Sequence, residues 1–113
     1  MVKTLVAVPT SKGGLDDVIH ESLVRAETFT LVEIEGGEVK EVKVVENPYK
    51  REPYGAGSKV ALFLVSLGVN AIISRTDCPK GRMILDSAGV RFFAVDNALQ
   101  AGNAIASMVT SFR

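Results

Sequence analysis

The sequence has no tryptophan, one cysteine and one histidine in 113 residues. A single cysteine excludes an internal disulfide and is typical of the reducing cytoplasm, where we expect the protein to reside. Aromatic residues make up 6% of the chain, too few for a base-stacking surface. Lysine plus arginine balance aspartate plus glutamate at 13 each, so neither nucleic acid nor a membrane is an expected partner. No apolar run reaches the ~20 residues that a membrane span requires.

What is present is the composition of one globular domain over residues 1–113, 47% apolar and 23% charged. Apolar periodicity and turn residues predict, in chain order, a strand at 3–9, a short helix at 15–26, a hairpin at 28–46, a helix at about 58–67, a strand at 69–74, a helix at 79–88, a strand at 90–95 and a final helix capped by Asp96. The alternation in the second half implies parallel strands, and the hairpin adds antiparallel ones. The fold class is therefore α/β, a mixed five-stranded sheet with helices on both faces, in three layers.

A Gly-Ala-Gly turn leads directly into the helix predicted to begin near Ser58. Glycine permits unusual backbone angles and close approach of a ligand, and the first N–H groups of a helix favour an anion. The turn lacks the third glycine of a dinucleotide fingerprint and is not a phosphate loop of the GxxxxGK(S/T) type. Two interpretations stay open: an anion cradle made by Gly55, Ala56, Gly57 and Ser58, or a plain bend.

Cys78 is the first candidate metal ligand, because it precedes Pro79 at a predicted helix N-terminus with Arg75 and Lys80 nearby. These features favour the thiolate, the form that binds metals. His20, the only histidine, is the second candidate, and a surface histidine on a short helix is its alternative interpretation. One cysteine by itself makes no structural zinc site, which would require several more ligands.

Catalytic arrangements are not evident in the pattern. Asp16 and Asp17 are adjacent, so they do not share a helix face as an acid–base pair would require. The single histidine lies in a segment where spacing alone assembles no nucleophilic triad. We therefore expect a protein that is not an enzyme.

Five stretches occur in a recognisable order: "VAVPT", "GLDDVI", "RAETFTLVEIEGGEVKEVKVVENP", "GAGSKVALFLVSLGVNAII" and "AGVRFFAV". Through them the whole chain resembles the dinitrogenase iron–molybdenum cofactor biosynthesis family, small proteins related to nitrogenase accessory factors. The resemblance implies a three-layer ribonuclease-H-like fold and a single nitrogenase accessory factor-like domain. Many members have His-Phe-Gly before Arg-Ala, where this chain has Ser22, Leu23 and Val24, and a glycine is common where Cys78 precedes Pro79.

The resemblance implies a small non-catalytic carrier or scaffold for an anionic metal–sulfur cluster, either iron–sulfur or molybdenum-containing. Arg25 and the 55–58 turn would bind the anion with Arg75 as a further cation, and Cys78 would be the soft ligand suited to Fe–S or Mo–S–Cu chemistry. Two alternatives remain, a protein–protein interaction module without a cofactor and a small enzyme acting on a phosphorylated metabolite. The nearly all-round apolar helix at 58–68 motivates the first alternative and predicts a homodimer.

Overall fold

The computed structural model describes residues 3–76, 79–95 and 100–108. Within these ranges the elements are β1 (Lys3–Thr10), β2 (Thr28–Glu35), β3 (Glu38–Glu46), α1 (Ala56–Ser66), β4 (Ala71–Ser74), α2 (Pro79–Ser87), β5 (Arg91–Ala94) and α3 (Ala101–Met108). The strands form one sheet in the order β3-β2-β1-β4-β5. β1 pairs antiparallel with β2 and parallel with β4, which confirms the predicted mixed five-stranded sheet.

The antiparallel half of the sheet is the predicted hairpin. Gly36 and Gly37 connect β2 to β3 with φ of 63° and 81°, the left-handed backbone that a two-residue hairpin turn requires. β3 lies at the edge of the sheet and is exposed along nearly its whole length. The sequence predicted only one solvated face for this strand, and the structure leaves both faces largely uncovered.

Side chains alternate across the sheet and build two separate cores, one on each face. One core packs the inner sheet residues Leu31 and Ile72 against Val60, Leu64 and the second helix. The other core contains these sheet and α3 residues: Val6, Val8, Val32, Ile73, Ala101, Ala104 and Ile105. The three-layer α/β/α arrangement follows directly from this division of apolar residues, with α1 and α2 on one face and α3 on the other.

Most of the apolar side chains of α1 pack against other parts of the same chain. Val60 and Leu64 are fully buried, and Phe63 contacts Phe29 and Tyr49 at ring-centroid distances of 6.2 and 6.1 Å. The helix is covered by the sheet, by α2 and by the loop that carries Tyr49, while α3 lies on the opposite face. Leu62 stays 56% exposed on this helix. Most of the apolar surface that predicted a homodimer is nevertheless covered within the chain, so the homodimer stays a prediction with little support from α1.

The short helix predicted at 15–26 is wrong. Residues 11–27 form turns and a single bridge from Val18 to Gln100. The backbone groups that a helix would use internally are engaged elsewhere, since the His20 N–H donates to the Pro9 carbonyl at 2.8 Å. The helical spacing of Leu15, Val18, Ile19 and Leu23 therefore reflects burial of Ile19 and Leu23 in different cores rather than one helix face.

Helix boundaries differ from the sequence prediction in two places. α1 begins at Ala56 rather than near Ser58, because Gly55 is its N-cap with φ 69° and ψ 20°. Gly68 and Gly89 have positive φ after α1 and α2, as their predicted role in ending those helices requires. α3 begins at Ala101, and the predicted cap Asp96 lies outside the described residues.

Candidate functional site

The carboxyl ends of the central strands and the N-termini of two helices meet at one edge of the sheet. β1 and β4 run parallel and end at Thr10 and Ser74. Each helix that links parallel strands runs back against them, so α1 and α2 begin at this same edge. Ligands of open α/β sheets bind there, which places the Gly-Ala-Gly turn at the end of the sheet where a site is expected.

A cleft of about 300 Å³ opens between the starts of α1 and α2. Its lining residues are Val24, Arg25, Pro53, Gly55, Ala56, Gly57, Pro79 and Lys80. Among the described residues, the lining carries two cationic side chains and no carboxylate, and the described first turns of α1 and α2 contain no acidic residue. The cleft therefore has a positive local field to which two helix dipoles contribute.

The turn itself is fixed by backbone conformation and by a contact between the two helices. Gly55 occupies the left-handed region, where a Cβ would be strained, and Ala56 and Gly57 are buried beside it. Ser58 Oγ donates to the Lys80 carbonyl at 3.4 Å, which ties the first turn of α1 to that of α2. The neighbouring Lys59 pairs with Glu52 at 3.1 Å, so its ammonium has an acceptor of its own.

Arg25 holds the loop that leads into the turn. Its Nη1 donates to the carbonyls of Lys50 and Glu52 at 3.2 and 2.8 Å. The guanidinium has five N–H donors, so a side chain that braces this loop can still direct charge into the cleft. Arg25 therefore lines the predicted cradle and also positions the segment before Gly55.

The structure places His20 and Arg75 away from the cleft lining. His20 is half-buried, and its Nδ1 accepts the Ser22 N–H at 3.0 Å. Arg75 borders a separate shallow opening with Glu21, Ser22 and Thr76. Cys78 lies outside the described residues, next to Pro79 of the cleft lining. Among the described residues no three His, Cys, Asp or Glu side chains cluster as a metal site would require.

Val24 and Pro53 also line the cleft and were missed by sequence reasoning. Val24 directly precedes Arg25 and Pro53 stands two residues before the turn, so proximity in sequence was their only available signal. Lys80 was noted only as a neighbour of Cys78. Its place in the cleft depends on the packing of α2 beside α1, which no local pattern encodes.

A second loop at the same edge, residues 11–17, also surrounds negative charge, but there the charge belongs to a side chain of the protein. The N–H groups of Ser11, Lys12 and Gly13 all donate to Asp17 Oδ2, at 2.8, 2.8 and 2.9 Å. Burial alone would raise the pKa of Asp17, and the hydrogen bonds from Gly13, Lys12, Ser11 and Val18 together hold that pKa below its ordinary value of 3.8. The loop after β1 is therefore closed by its own carboxylate.

The N-terminus of α3 is also engaged. Ala101 and Gly102 donate their N–H groups to the carbonyls of Asp17 and Leu15 at 2.8 and 2.7 Å. A Cβ at Gly102 would lie 3.0 Å from the Leu15 carbonyl oxygen, so glycine permits this close approach. The 11–17 loop thus caps α3, and the cleft at α1 and α2 is the remaining candidate anion site at this edge of the described structure.

Comparison with known proteins gives consistent matches. Residues 2–111 match the family described as dinitrogenase iron-molybdenum cofactor. An uncharacterized protein of Methanocaldococcus jannaschii is 36% identical over 66 residues, which are 58% of this chain and 56% of that protein. The match thus spans little more than half the length of that curated relative.

Two solved structures share the fold. The apo form of the orange protein from Desulfovibrio gigas has a TM-score of 0.86 at 22% identity, covering 96% of this chain and 88% of that one. An NMR structure of a proposed NifB protein from Thermotoga has a TM-score of 0.75 at 29% identity, with the same two coverages. The α/β fold is confirmed by both, and the ribonuclease-H-like label stays a prediction.

The described helices include none that is long and apolar enough to cross a membrane.

Proposed function

Since the chain belongs to the dinitrogenase iron-molybdenum cofactor family, we propose that it is a non-catalytic carrier or scaffold whose cargo is an anionic metal–sulfur cluster, of the iron–molybdenum cofactor kind or related to it. The cargo binds in the cleft between the first turns of α1 and α2. The observation that carries the proposal is the charge of the described cleft lining, which includes Arg25 and Lys80 and, within residues 3–76 and 79–95, no carboxylate.

The described lining fits an anion better than it fits a bare metal ion. Glycine backbone at residues 55 and 57 allows close approach, and the positive ends of two helices add to the two side-chain cations. A free cation would meet repulsion from Arg25 and Lys80, and the described lining offers it no histidine or carboxylate. A preassembled cluster brings its own sulfide ligands, so charge and shape suffice for a large part of its recognition.

Cys78 would supply a soft ligand to such a cargo. It directly precedes Pro79 of the cleft lining, and thiolate sulfur suits iron, molybdenum and copper–sulfur chemistry. A helix N-terminus lowers the pKa of a thiol below its reference value of about 8.5. We expect Cys78 to react quickly with iodoacetamide near neutral pH and to be protected by bound cluster. A Cys78→Ser protein that takes up the cluster at full stoichiometry would show that Cys78 is not a ligand.

The alternative of an enzyme for a phosphorylated metabolite shares the same anion site. Inorganic phosphate separates the two possibilities, because it offers hard oxygen atoms without soft donors. A carrier of sulfide-rich clusters binds tetrathiomolybdate more tightly than phosphate, whereas a phosphate-ester enzyme has the reverse preference. The interaction-module alternative predicts that neither anion binds.

The test is anaerobic purification followed by analysis of iron, molybdenum, copper and acid-labile sulfide. We expect the wild-type protein to contain metal and acid-labile sulfide, at or below full stoichiometry. We expect both to be lost in Lys80→Glu, which reverses one charge of the cleft. Lys12→Glu is the matched control, since Lys12 lies in the loop closed by Asp17. Equal metal and sulfide in wild type and Lys80→Glu, or none in any folded protein purified anaerobically, would contradict the proposed function.

A further inference from the structure

The edge strand β3 leaves a long row of backbone groups without partners in the sheet. β3 has nine residues and pairs only with β2, whereas the other edge strand, β5, has four. The Asn47 N–H donates to the Glu27 carbonyl at 3.1 Å, and this bond shows which alternate residues of β3 direct their backbone groups toward β2. Because antiparallel hydrogen bonding alternates along a strand, Glu41, Lys43 and Val45 direct their backbone groups toward β2, and Val42 and Val44 direct theirs outward.

The same strand carries exposed apolar side chains on one face. Val39, Val42 and Val44 are 42%, 38% and 47% exposed. They lie opposite Ile34, Val32 and Thr30, so all three project on the α3 side of the sheet, beyond the region that α3 covers. An outward-facing ladder beside a valine stripe is the kind of edge that pairs with another strand.

The charges that flank Val42 indicate which strand fits. Glu41 and Lys43 stand on either side of Val42 and have no ion-pair partner among the residues described, whereas Lys40 pairs with Glu38 at 3.0 Å. A two-fold axis through Val42 places Glu41 directly opposite the partner's Lys43, and Lys43 opposite the partner's Glu41. Opposite charges at directly facing positions of antiparallel strands are stabilising.

We propose that a second copy of this chain pairs antiparallel along β3, with Val42 at the two-fold axis, so that the two sheets become continuous. Pairings in which the two-fold axis lies one or two residues further along β3 are disfavoured. An axis at Lys43 sets two lysines face to face, and an axis at Val44 sets Lys43 opposite Val45 and Glu41 opposite Asn47. This surface is independent of the cleft, and the proposal does not rest on cluster binding.

Analytical ultracentrifugation at micromolar concentrations tests the pairing through charge reversal. We expect a wild-type dimer and, for Glu41→Lys and Lys43→Glu separately, a dissociation constant raised about tenfold or more, because each variant faces like charges twice. The double variant Glu41→Lys/Lys43→Glu restores both pairs and dimerises again. Asp16→Lys, an equal charge reversal on the loop beside α3, leaves the wild-type association unchanged.

Mixing the two single variants is the most discriminating measurement of the experiment. The Glu41→Lys chain then presents lysine at both flanking positions, and the Lys43→Glu chain presents glutamate at both. Both facing pairs formed by positions 41 and 43 are therefore of opposite charge, so a heterodimer forms from two chains that associate weakly alone. A monomeric wild type, a dimer unaffected by Glu41→Lys, or a mixture that stays monomeric would overturn the proposal. Circular dichroism on each variant confirms that the fold is retained, and the double variant keeps the test decisive if one single variant is unstable.

Discussion

Two loops at one edge of the sheet are built to surround negative charge, and they differ in whether the chain supplies that charge. In the 11–17 loop the carboxylate of Asp17 accepts three backbone N–H groups, and the Gly14 N–H donates to Thr30 Oγ1 at 3.0 Å. In the 53–57 turn the nearby cations are Arg25 and Lys80, and the part of the cleft lining that the structure describes contains no carboxylate. The first loop is complete in itself, and the second has a field that an external anion can satisfy.

The difference shows that glycine content does not identify a binding loop. Both segments contain two glycines. What separates them is one aspartate placed four residues after Gly13, within reach of the backbone donors. We infer that the closed loop stabilises the fold and caps α3, while the open turn is reserved for function.

The largest expected effect comes from filling the closed loop at Gly13. Gly13 has φ 98°, and an added Cβ would stand 2.7 Å from Val44 Cγ2 and nearer still to Cγ1. Gly13→Ala combines backbone strain with a clash against a stiff side chain, and we expect a loss of about 2–4 kcal/mol in the free energy of unfolding. Urea denaturation measures it.

Gly14→Ala is the matched control for that substitution. Gly14 has a similar φ of 102° but open space around the added Cβ, so it reports strain without the clash. A Gly14→Ala protein as unstable as Gly13→Ala would mean that packing against Val44 is not what closes the loop.

Removing the internal anion should have the next largest effect. Asp17→Asn keeps the shape of the side chain but replaces a charged acceptor of three N–H groups with a neutral one. We expect a loss of about 1–3 kcal/mol in the free energy of unfolding, because backbone donors lose a charge-assisted partner. The same substitution at Asp16, which makes no such contacts among the residues described, should change stability little. Equal effects at both positions would show that the hydrogen bonds contribute nothing net.

The open turn should tolerate substitution better. Gly55 has φ 69° with nothing within 4 Å of an added Cβ, so Gly55→Ala meets backbone strain alone. We expect a loss of about 1 kcal/mol in unfolding free energy, which thermal denaturation can measure. A loss as large as that for Gly13→Ala would indicate that the turn is packed as tightly as the closed loop.

The smallest effect is a dependence on pH that only the closed loop shows. The folded pKa of Asp17 lies below its unfolded value of 3.8, so its contribution is fully present above 3.8 and is lost as pH falls through the folded pKa. The stability gap between wild type and Asp17→Asn should therefore narrow on acidification below 3.8. A gap that stays constant in urea titrations at successively lower pH would contradict the ionised role of Asp17.

Much of the fold could be predicted from local pattern. The mixed five-stranded sheet followed from the alternation of apolar runs with helices, and Gly36–Gly37 marked the hairpin. The helix prediction for residues 15–26 failed because the apolar residues mimic helical spacing, while Asp17 Oδ1 and the Pro9 carbonyl accept the N–H groups of Val18 and His20. A side chain that bonds backbone donors offers the chain an alternative to a helix, and this competition is invisible to periodicity.

The site was predicted only where its residues lie together in sequence. Gly55, Ala56 and Gly57 were recognised because a small-residue turn before a helix has a local physical consequence. Lys80 could not be assigned to the cleft from spacing, because it arrives there through the packing of α2 beside α1. Arg25 was identified from family resemblance, and its hydrogen bonds to the Lys50 and Glu52 carbonyls became apparent only in three dimensions.

The most direct test of the account is calorimetric titration of the protein with tetrathiomolybdate, a compact molybdenum–sulfur dianion, in wild type, Gly57→Ala and Gly57→Asp. Gly57 is a buried residue of the cleft lining, so aspartate places a carboxylate beside the proposed anion position, while alanine adds only bulk. A carboxylate in the first turn of a helix is favourable for the helix itself, so the aspartate variant can be compared at equal folding by circular dichroism. The account predicts binding to wild type, weaker binding to Gly57→Ala and none to Gly57→Asp. Equal affinity in all three folded proteins would show that the anion does not bind at this turn.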